Sequence, residues 1–453
     1  LALPFGVHSS VTHAQSRLSA NDRIETAVIG IGERGKYLIA NLPSEFRVTS
    51  LCDFSRDQIE TVRRPPARFG TLLDNFAQGD AKRCEIHQDY RRMLDGGHYD
   101  AVIIAAPDHH HAMSAILAMQ AGSHVYVEKP LAVTIAEGRA IVDAARRYQR
   151  VTQVGSQQRT MQVNRTACEF IRSGGLGKVH RVEDRNLPGP MPYEAARFPA
   201  EPVPATLEWD LFCGPTPMRA YNRQLWVKDA FEVDGLLWRG WDLIDDYSGH
   251  LMTNWGAHSV DMIQYALGKD DTGPVQVDIL NDLVDETIDI PWRNKTPPLG
   301  TVSDSTADRS RFFPLRMTYA DGTEIHFVLG ESSTIFHGER GKLTLRRNDY
   351  VTEPTDVLSP PDPDQQKLWD GSGHVARPHL ENWLQGIKSG SPLNAPPEVG
   401  HRSVTVCHLG NLARRLNRSL RWNPAEEEFL GDAEANSMLA RPRRAGFELP
   451  SPN

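Results

Sequence analysis

From Arg23 onward the chain alternates short apolar runs with longer amphipathic stretches. Ile24 to Ile29 is an apolar run that stops on Gly30, and Lys36 to Leu42 carries the mixed faces of a helix. Arg47 to Cys52 is a second run, ending on Asp53. Asp100 to Ala106 is apolar up to Pro107, and His111 to Ala121 follows as a helix closed by Gly122. His124 to Val127 runs into Glu128-Lys129-Pro130. Thr134 with Glu137 forms a capping box for a helix through Tyr148, and Val151 to Val154 is one more short strand. Apolar strands separated by helices predict a parallel sheet covered on both faces.

The spacing changes after Gly155. Strands are predicted at 178–186, 275–281, 314–319, 324–330 and 342–346, and helices at about 256–267, 376–389 and 399–416. Pro- and Trp-rich connections over 187–241 and 283–310 separate them. The predicted fold class is α/β: an N-terminal Rossmann domain over 21–155, then an α+β domain over 156–422. The second domain has a large, mostly antiparallel open sheet. The polar, Arg-rich segment 423–453 is expected to wrap the surface as a tail. Residues 1–20 read as the end of an apolar export segment, with small residues around Val11 to Ala14 for cleavage. A periplasmic or secreted protein is expected, with twin-arginine export as one route. A cytoplasmic protein with a loose arm is the alternative.

Composition narrows the picture modestly. The 453 residues are 40% hydrophobic and 24% charged, as in ordinary soluble domains. The formal net charge of -8 argues against nucleic acid as a partner. No run approaches the ~18 apolar residues of a membrane span. Five cysteines without a CxxC pair give neither a disulfide framework nor a structural zinc site. His109-His110-His111 invites a metal reading, but consecutive side chains on a turn do not converge, so no metal is expected.

The informative motif is Gly30-Ile31-Gly32-Glu33-Arg34-Gly35, placed between a strand and a helix. Gly30 permits the tight turn, Gly32 the close approach of a pyrophosphate, and Gly35 the packing of helix on strand. The helix N-terminus then faces the phosphates. Asp53, about 20 residues further on, sits where a carboxylate takes the adenosine ribose hydroxyls. Its charge repels a 2′-phosphate, so NAD is expected ahead of NADP, although Arg56 lies near. Lys129 falls just past a parallel strand's carboxyl end, the edge where such sheets bind ligands. Asn254, His258 and Asp261 have the i, i+4, i+7 spacing of one helical face. His258 can take a hydroxyl proton, or it can be a satisfied core histidine.

These residues resemble the Gfo/Idh/MocA oxidoreductase family, which includes glucose–fructose oxidoreductase and inositol dehydrogenase. The resemblance rests on the glycine turn, Asp53, Pro107 to His111, Glu128-Lys129-Pro130, Gly155 to Arg159 and Trp255 to His258 with Asp261. It extends to Gly400 to Ser403 and Arg441-Pro442-Arg443-Arg444, which resemble exported bacterial members. It implies a nicotinamide cofactor held by Gly30, Gly32, Arg34, Gly35, Asp53, Pro107, His111, Glu128 and Lys129. It implies a sugar or polyol substrate, and a homodimer or homotetramer packed through the open sheet. Lys129 polarises the substrate hydroxyl and His258 is the base. Arg159, Trp241, Asn254 and His258 are the expected substrate contacts, with Trp209, Tyr221 and Trp238 as further aromatic candidates. The family motif is roughly GGxxxDxxxHxxD, and here Asn254 replaces its first acid. An amide orients a hydroxyl but takes no proton. His250, Asp245 and Asp246 are the nearby groups able to compensate.

Three functions fit these residues. The first is an NAD-dependent dehydrogenase acting on a sugar or polyol CH–OH group. The second is a glycosidase or lyase that oxidises its substrate transiently and returns the hydride. The third is a non-catalytic sensor that keeps the cofactor fold.

Overall fold

A computed structural model describes residues 23–185, 199–226, 231–233, 236–238, 240–280, 314–328, 332–368 and 376–450. Residues 1–20, expected to hold an export segment, much of the 187–241 connection and all of 283–310 lie outside the described residues, as does the side chain of Trp238.

Strands β1 (Ile24–Ile29), β2 (Phe46–Cys52), β3 (Glu85–His87), β4 (Ala101–Ile104), β5 (His124–Val127) and β6 (Thr152–Val154) form one parallel sheet. Their order is β3-β2-β1-β4-β5-β6, the doubly wound arrangement in which ligands sit beyond the strands' carboxyl ends. The central strands are apolar throughout because helices cover both faces. Val28, Val102, Ile103 and Val125 are fully buried. The first helix spans Glu33–Asn41, three residues ahead of the expected start at Lys36.

Among the described residues the second sheet has nine strands: β7 (Val179–Asp184), β10 (Gln276–Ile279), β11 (Leu315–Thr318), β12 (Glu324–Phe327), β13 (Thr334–Gly338), β14 (Gly341–Arg346), β15 (Asp349–Glu353), β16 (Leu420–Asn423) and β17 (Glu428–Phe429). A separate hairpin joins β8 (Phe231–Val233) to β9 (Leu236–Trp238). Pairing in the large sheet is antiparallel except for β7 against β12. The helices Gln162–Arg172, Gly256–Leu267 and Pro397–Leu416 contribute to one core with this sheet. Among the described residues no helix is long and apolar enough to cross a membrane.

Two features depart from the sequence expectation. The segment expected as a surface tail supplies β17 and the end of β16, and Trp422 and Phe429 are buried in the second core. A side chain can be buried while its strand neighbours look polar, because alternate residues face opposite ways. The helix Arg377–Ser389 lies on the first sheet, where Leu380 and Trp383 join Ile24, Val28 and Tyr126. Trp209, Phe212, Tyr247 and Phe447 likewise complete the other face of that sheet. The first core thus recruits chain from well beyond residue 155.

Candidate active site

The glycine turn shows three different constraints. Gly30 has φ +89°, and a Cβ there would lie 2.4 Å from the Ala106 nitrogen. At Gly35 it would lie 2.1 Å from the Gly30 carbonyl oxygen, so β1 and the helix touch through backbone alone. At Gly32 it would meet nothing within 4 Å. Gly32 is also the helix N-cap, and no side chain caps the first turn. Open space in front of an uncapped helix start fits a pyrophosphate, which the N–H groups and the helix dipole would hold.

Asp53 stands beside this turn. Its carboxylate accepts from the Ile31 N–H at 2.7 Å and the Ser55 N–H at 2.9 Å. Burial raises its pKa to about 6, against the pull of those two donors and of Lys36. Arg34 and Glu128, both expected at the cofactor, pair with each other at 2.7 Å across the mouth of the sheet. Gly155 makes room for this pair, since a Cβ there would lie 2.6 Å from the Glu128 carboxyl carbon.

Pro107 ends the turn after β4 and begins the short helical turn Asp108–His110. His111 is buried and spans two strand ends, with Nδ1 2.8 Å from the Pro130 oxygen and Nε2 2.9 Å from the Ala106 oxygen. It braces the turns that carry Pro107 and Lys129. His109 and His110 both reach the Phe212 carbonyl, at 2.7 and 2.8 Å.

The Lys129–Pro130 peptide is cis. Lys129 Nζ donates to both oxygens of one residue, the Asn254 carbonyl at 3.0 Å and its Oδ1 at 2.9 Å. Burial lowers the lysine pKa to about 8, opposed by the negative charges of Glu128, Asp108 and Asp242. Asn254 ends the short helix His250–Asn254, and His258 lies in the first turn of the next, Gly256–Leu267. Burial, then the charges of Lys129, Arg347 and Arg34, hold the His258 imidazole well below its usual pKa. Its Nδ1 is buried without a hydrogen-bond partner. A neutral imidazole with a bare nitrogen can accept a proton, and a neighbouring ammonium can polarise the oxygen that loses it.

Other expectations met different partners. Arg159 is spent on a buried ion pair with Asp261 at 2.7 Å and on Asp270 at 2.8 Å, and its guanidinium stacks on Tyr265. These pairs tie the turn Gln157–Arg159 to the helix Gly256–Leu267 and to the residues just beyond it. Asp245 pairs with His250 and Arg415, and Asp246 with Arg219, whereas the carboxylates whose charge acts on Lys129 are Glu128, Asp108 and Asp242. Trp209 stacks on Phe212 and donates to the Arg219 carbonyl, and Tyr221 packs edge-on against it, so both are core. Trp241 is half-buried against the same cluster.

Sequence reading missed Asp242, Asp108 and Arg347 as charges acting on Lys129 and His258. Asp108 lies within a quoted motif and Asp242 beside a quoted tryptophan. Arg347, at the turn between β14 and β15, stacks on Trp255 at 5.3 Å, and nothing local in the sequence signals it.

Residues 24–156 match the family described as oxidoreductases with an NAD-binding Rossmann fold. Residues 194–297 and 305–449 match its C-terminal alpha/beta domain. Inositol 2-dehydrogenase of Salmonella typhimurium is 27% identical over 188 residues, 41% of this chain and 50% of that protein. A glycosyl hydrolase family 109 protein of a Shewanella species is 28% identical over 160 residues, 35% of this chain and 34% of that one. These matches span about half or less of the relatives' length. The WlbA dehydrogenase of Bordetella pertussis, solved with NADH and UDP-GlcNAcA, shares the fold at TM-score 0.56 and 16% identity, covering 89% of this chain and 99% of that one. The chain belongs to the Gfo/Idh/MocA oxidoreductase family, with its N-terminal Rossmann domain and C-terminal alpha/beta domain.

Proposed function

We propose that this protein oxidises a CH–OH carbon of a sugar or polyol with NAD. The observation that carries the reading is the grip of both Asn254 oxygens on Lys129 Nζ, at the strand edge where His258 is kept neutral. Gly30, Gly32 and Gly35 seat the dinucleotide, and Asp53 takes the ribose hydroxyls and disfavours a 2′-phosphate. Bound there, the nicotinamide supplies the hydride acceptor. Lys129 works as the ammonium: two N–H groups go to Asn254, and the third polarises the substrate hydroxyl. His258 accepts the hydroxyl proton on its bare Nδ1. Asn254 orients Lys129 and exchanges no proton itself.

The test mixes protein, NAD and a panel of sugars and polyols and follows NADH absorbance. Lys129→Ala is expected to lower the rate by about 10²-fold or more, the scale of a lost electrostatic contact in a transition state. An unchanged rate would remove Lys129 from the mechanism.

The likeness to a glycosyl hydrolase family 109 protein keeps the second reading in view. There the same residues would oxidise a glycoside transiently, and the hydride would return after the glycosidic bond breaks. Release of p-nitrophenol from a nitrophenyl glycoside with no net NADH would select it.

A further inference from the structure

A second cavity lies away from this site. It has a volume of about 310 Å³, near the lower end of the ~300–1,000 Å³ typical of small-molecule sites. Its floor is the helix Pro397–Leu416, which contributes His408, Asn411 and Arg415. One wall is the start of the helix Ile135–Arg147 at Thr134, and another is the turn at His250. Met438 to Pro442, except Leu439, cover it. Neither Lys129, His258 nor the glycine turn lines it.

Each charged side chain that lines it already has a partner, although Arg441 shares Glu137 with Arg443. Asp245 is held by His250 and by Arg415 at 2.7 Å, Asp246 by Arg219 at 2.7 Å, and Arg441 by Glu137 at 2.8 Å. A charged ligand would have to displace one of these partners, so a neutral one fits. Hydrogen-bonding capacity is not matched. His408 Nε2 lies 3.0 Å from the Ala132 carbonyl and must donate to it, which leaves Nδ1 as a bare acceptor. Burial lowers the His408 pKa to about 4 and keeps that nitrogen unprotonated. Asn411 spends Nδ2 on the Gly249 carbonyl at 2.9 Å, and its Oδ1 has no partner. Donors line the same cavity: Arg415 has N–H groups beyond the one given to Asp245. Thr134 accepts from the Glu137 N–H and keeps its own hydroxyl hydrogen. Adjacent acceptors and donors without net charge match a molecule whose neighbouring groups both give and take hydrogen bonds.

We propose that this cavity is a second binding site, for a neutral polyhydroxylated molecule about the size of a single sugar ring. Its wall reaches the catalytic residues through one short helix. His250 begins that helix with φ +58°, and Asn254 ends it holding Lys129. Occupancy therefore sits one helical turn from the catalytic lysine.

The test uses the full chain loaded with NADH and measures binding of myo-inositol, D-glucose and glycerol by ligand-observed NMR. Four proteins are compared: wild type, Lys129→Ala, Asn411→Leu and His408→Phe. NADH binding by each variant reports that the fold persists, and Asn411→Leu, at a half-buried position, covers the case in which His408→Phe does not fold. The expected result is binding that survives Lys129→Ala and weakens at least about tenfold in Asn411→Leu, the ~1.4 kcal/mol of one or two lost hydrogen bonds. Binding abolished by Lys129→Ala and untouched by Asn411→Leu would place the polyol only at the catalytic site and overturn the proposal. Absence of binding in wild type would overturn it too, leaving water as the occupant. Retained activity in that last case would leave the dehydrogenase reading intact.

Discussion

Replacing Asn254 tests the lysine's proton in both directions. In the proposed mechanism Lys129 acts as the ammonium, so oxidation is supported below its pKa and lost as pH rises through about 8. Asn254 Oδ1 accepts from Nζ at 2.9 Å. A hydrogen bond to a charged donor is worth about 1.5–3 kcal/mol and one to a neutral donor about 0.5–1.5 kcal/mol. The difference, about 1–1.5 kcal/mol, favours the ammonium by about one pKa unit. Asn254→Leu removes it, so the alkaline limb of the kcat/KM profile should move down by about one unit. At pH 8 the charged fraction then falls from half to about a tenth, a loss of about fivefold. Asn254→Asp acts oppositely. A carboxylate at the same distance attracts the ammonium by about 6 kcal/mol at an effective dielectric of about 20. Water reaching the half-buried site trims this, and the limb should move up by about 2 to 4 units. Stopped-flow NADH formation across pH on the three proteins gives the answer. A limb that stays in place in both variants would refute the role of Asn254. Activity that climbs through pH 8 in wild type would make Lys129 the proton acceptor instead.

Three further perturbations separate binding from architecture. Gly32→Ala, with open space at its Cβ, should leave the thermal midpoint of the cofactor-free protein within about 2 °C while NADH affinity drops at least tenfold; Gly35→Ala, which drives a methyl into the Gly30 carbonyl, should lower both. Fluorescence titration beside thermal melts distinguishes them. Asp261→Asn removes the more buried of Arg159's two carboxylate partners, leaving Asp270, and should cost about 2–3 kcal/mol in urea unfolding with KM unchanged; a large KM effect without lost stability would place Arg159 at the substrate site. Glu137→Gln leaves Arg441 and Arg443 facing a neutral amide, and loss of about 2–4 kcal/mol is expected, with release of the C-terminal segment visible as faster hydrogen exchange around Phe447.

The parts of the site that the sequence reveals are those made by neighbouring residues. The glycine turn, Asp53 at the end of β2 and Lys129 at the end of β5 follow from apolar runs and their punctuation, because backbone geometry at a strand end is a local matter. The nine-stranded sheet was legible only in part. β13, β15, β16 and β17 are five residues or fewer with mixed composition, and their burial is set by strands far away in the chain. The helix Arg377–Ser389 shows its period plainly but not its destination, which is the first sheet and not the second.

Charged residues expose the limit most sharply. Thr134 and Glu137 have capping-box spacing, and Thr134 does accept from the Glu137 N–H. The Glu137 carboxylate turns instead to Arg441 and Arg443, some three hundred residues on, both of which bond its Oε1. Arg159 is diverted in the same way by Asp261 and Asp270. Lys129 differs because the groups that meet it are neutral oxygens of Asn254, which orient the ammonium without cancelling its charge. Availability for chemistry is therefore a property of the partner and not of the residue type. The amide at Asn254 thus holds the ammonium in place without pinning its charge, while burial brings its pKa down to about 8, so the third N–H stays available to the substrate hydroxyl and the alkaline limit of activity falls near pH 8.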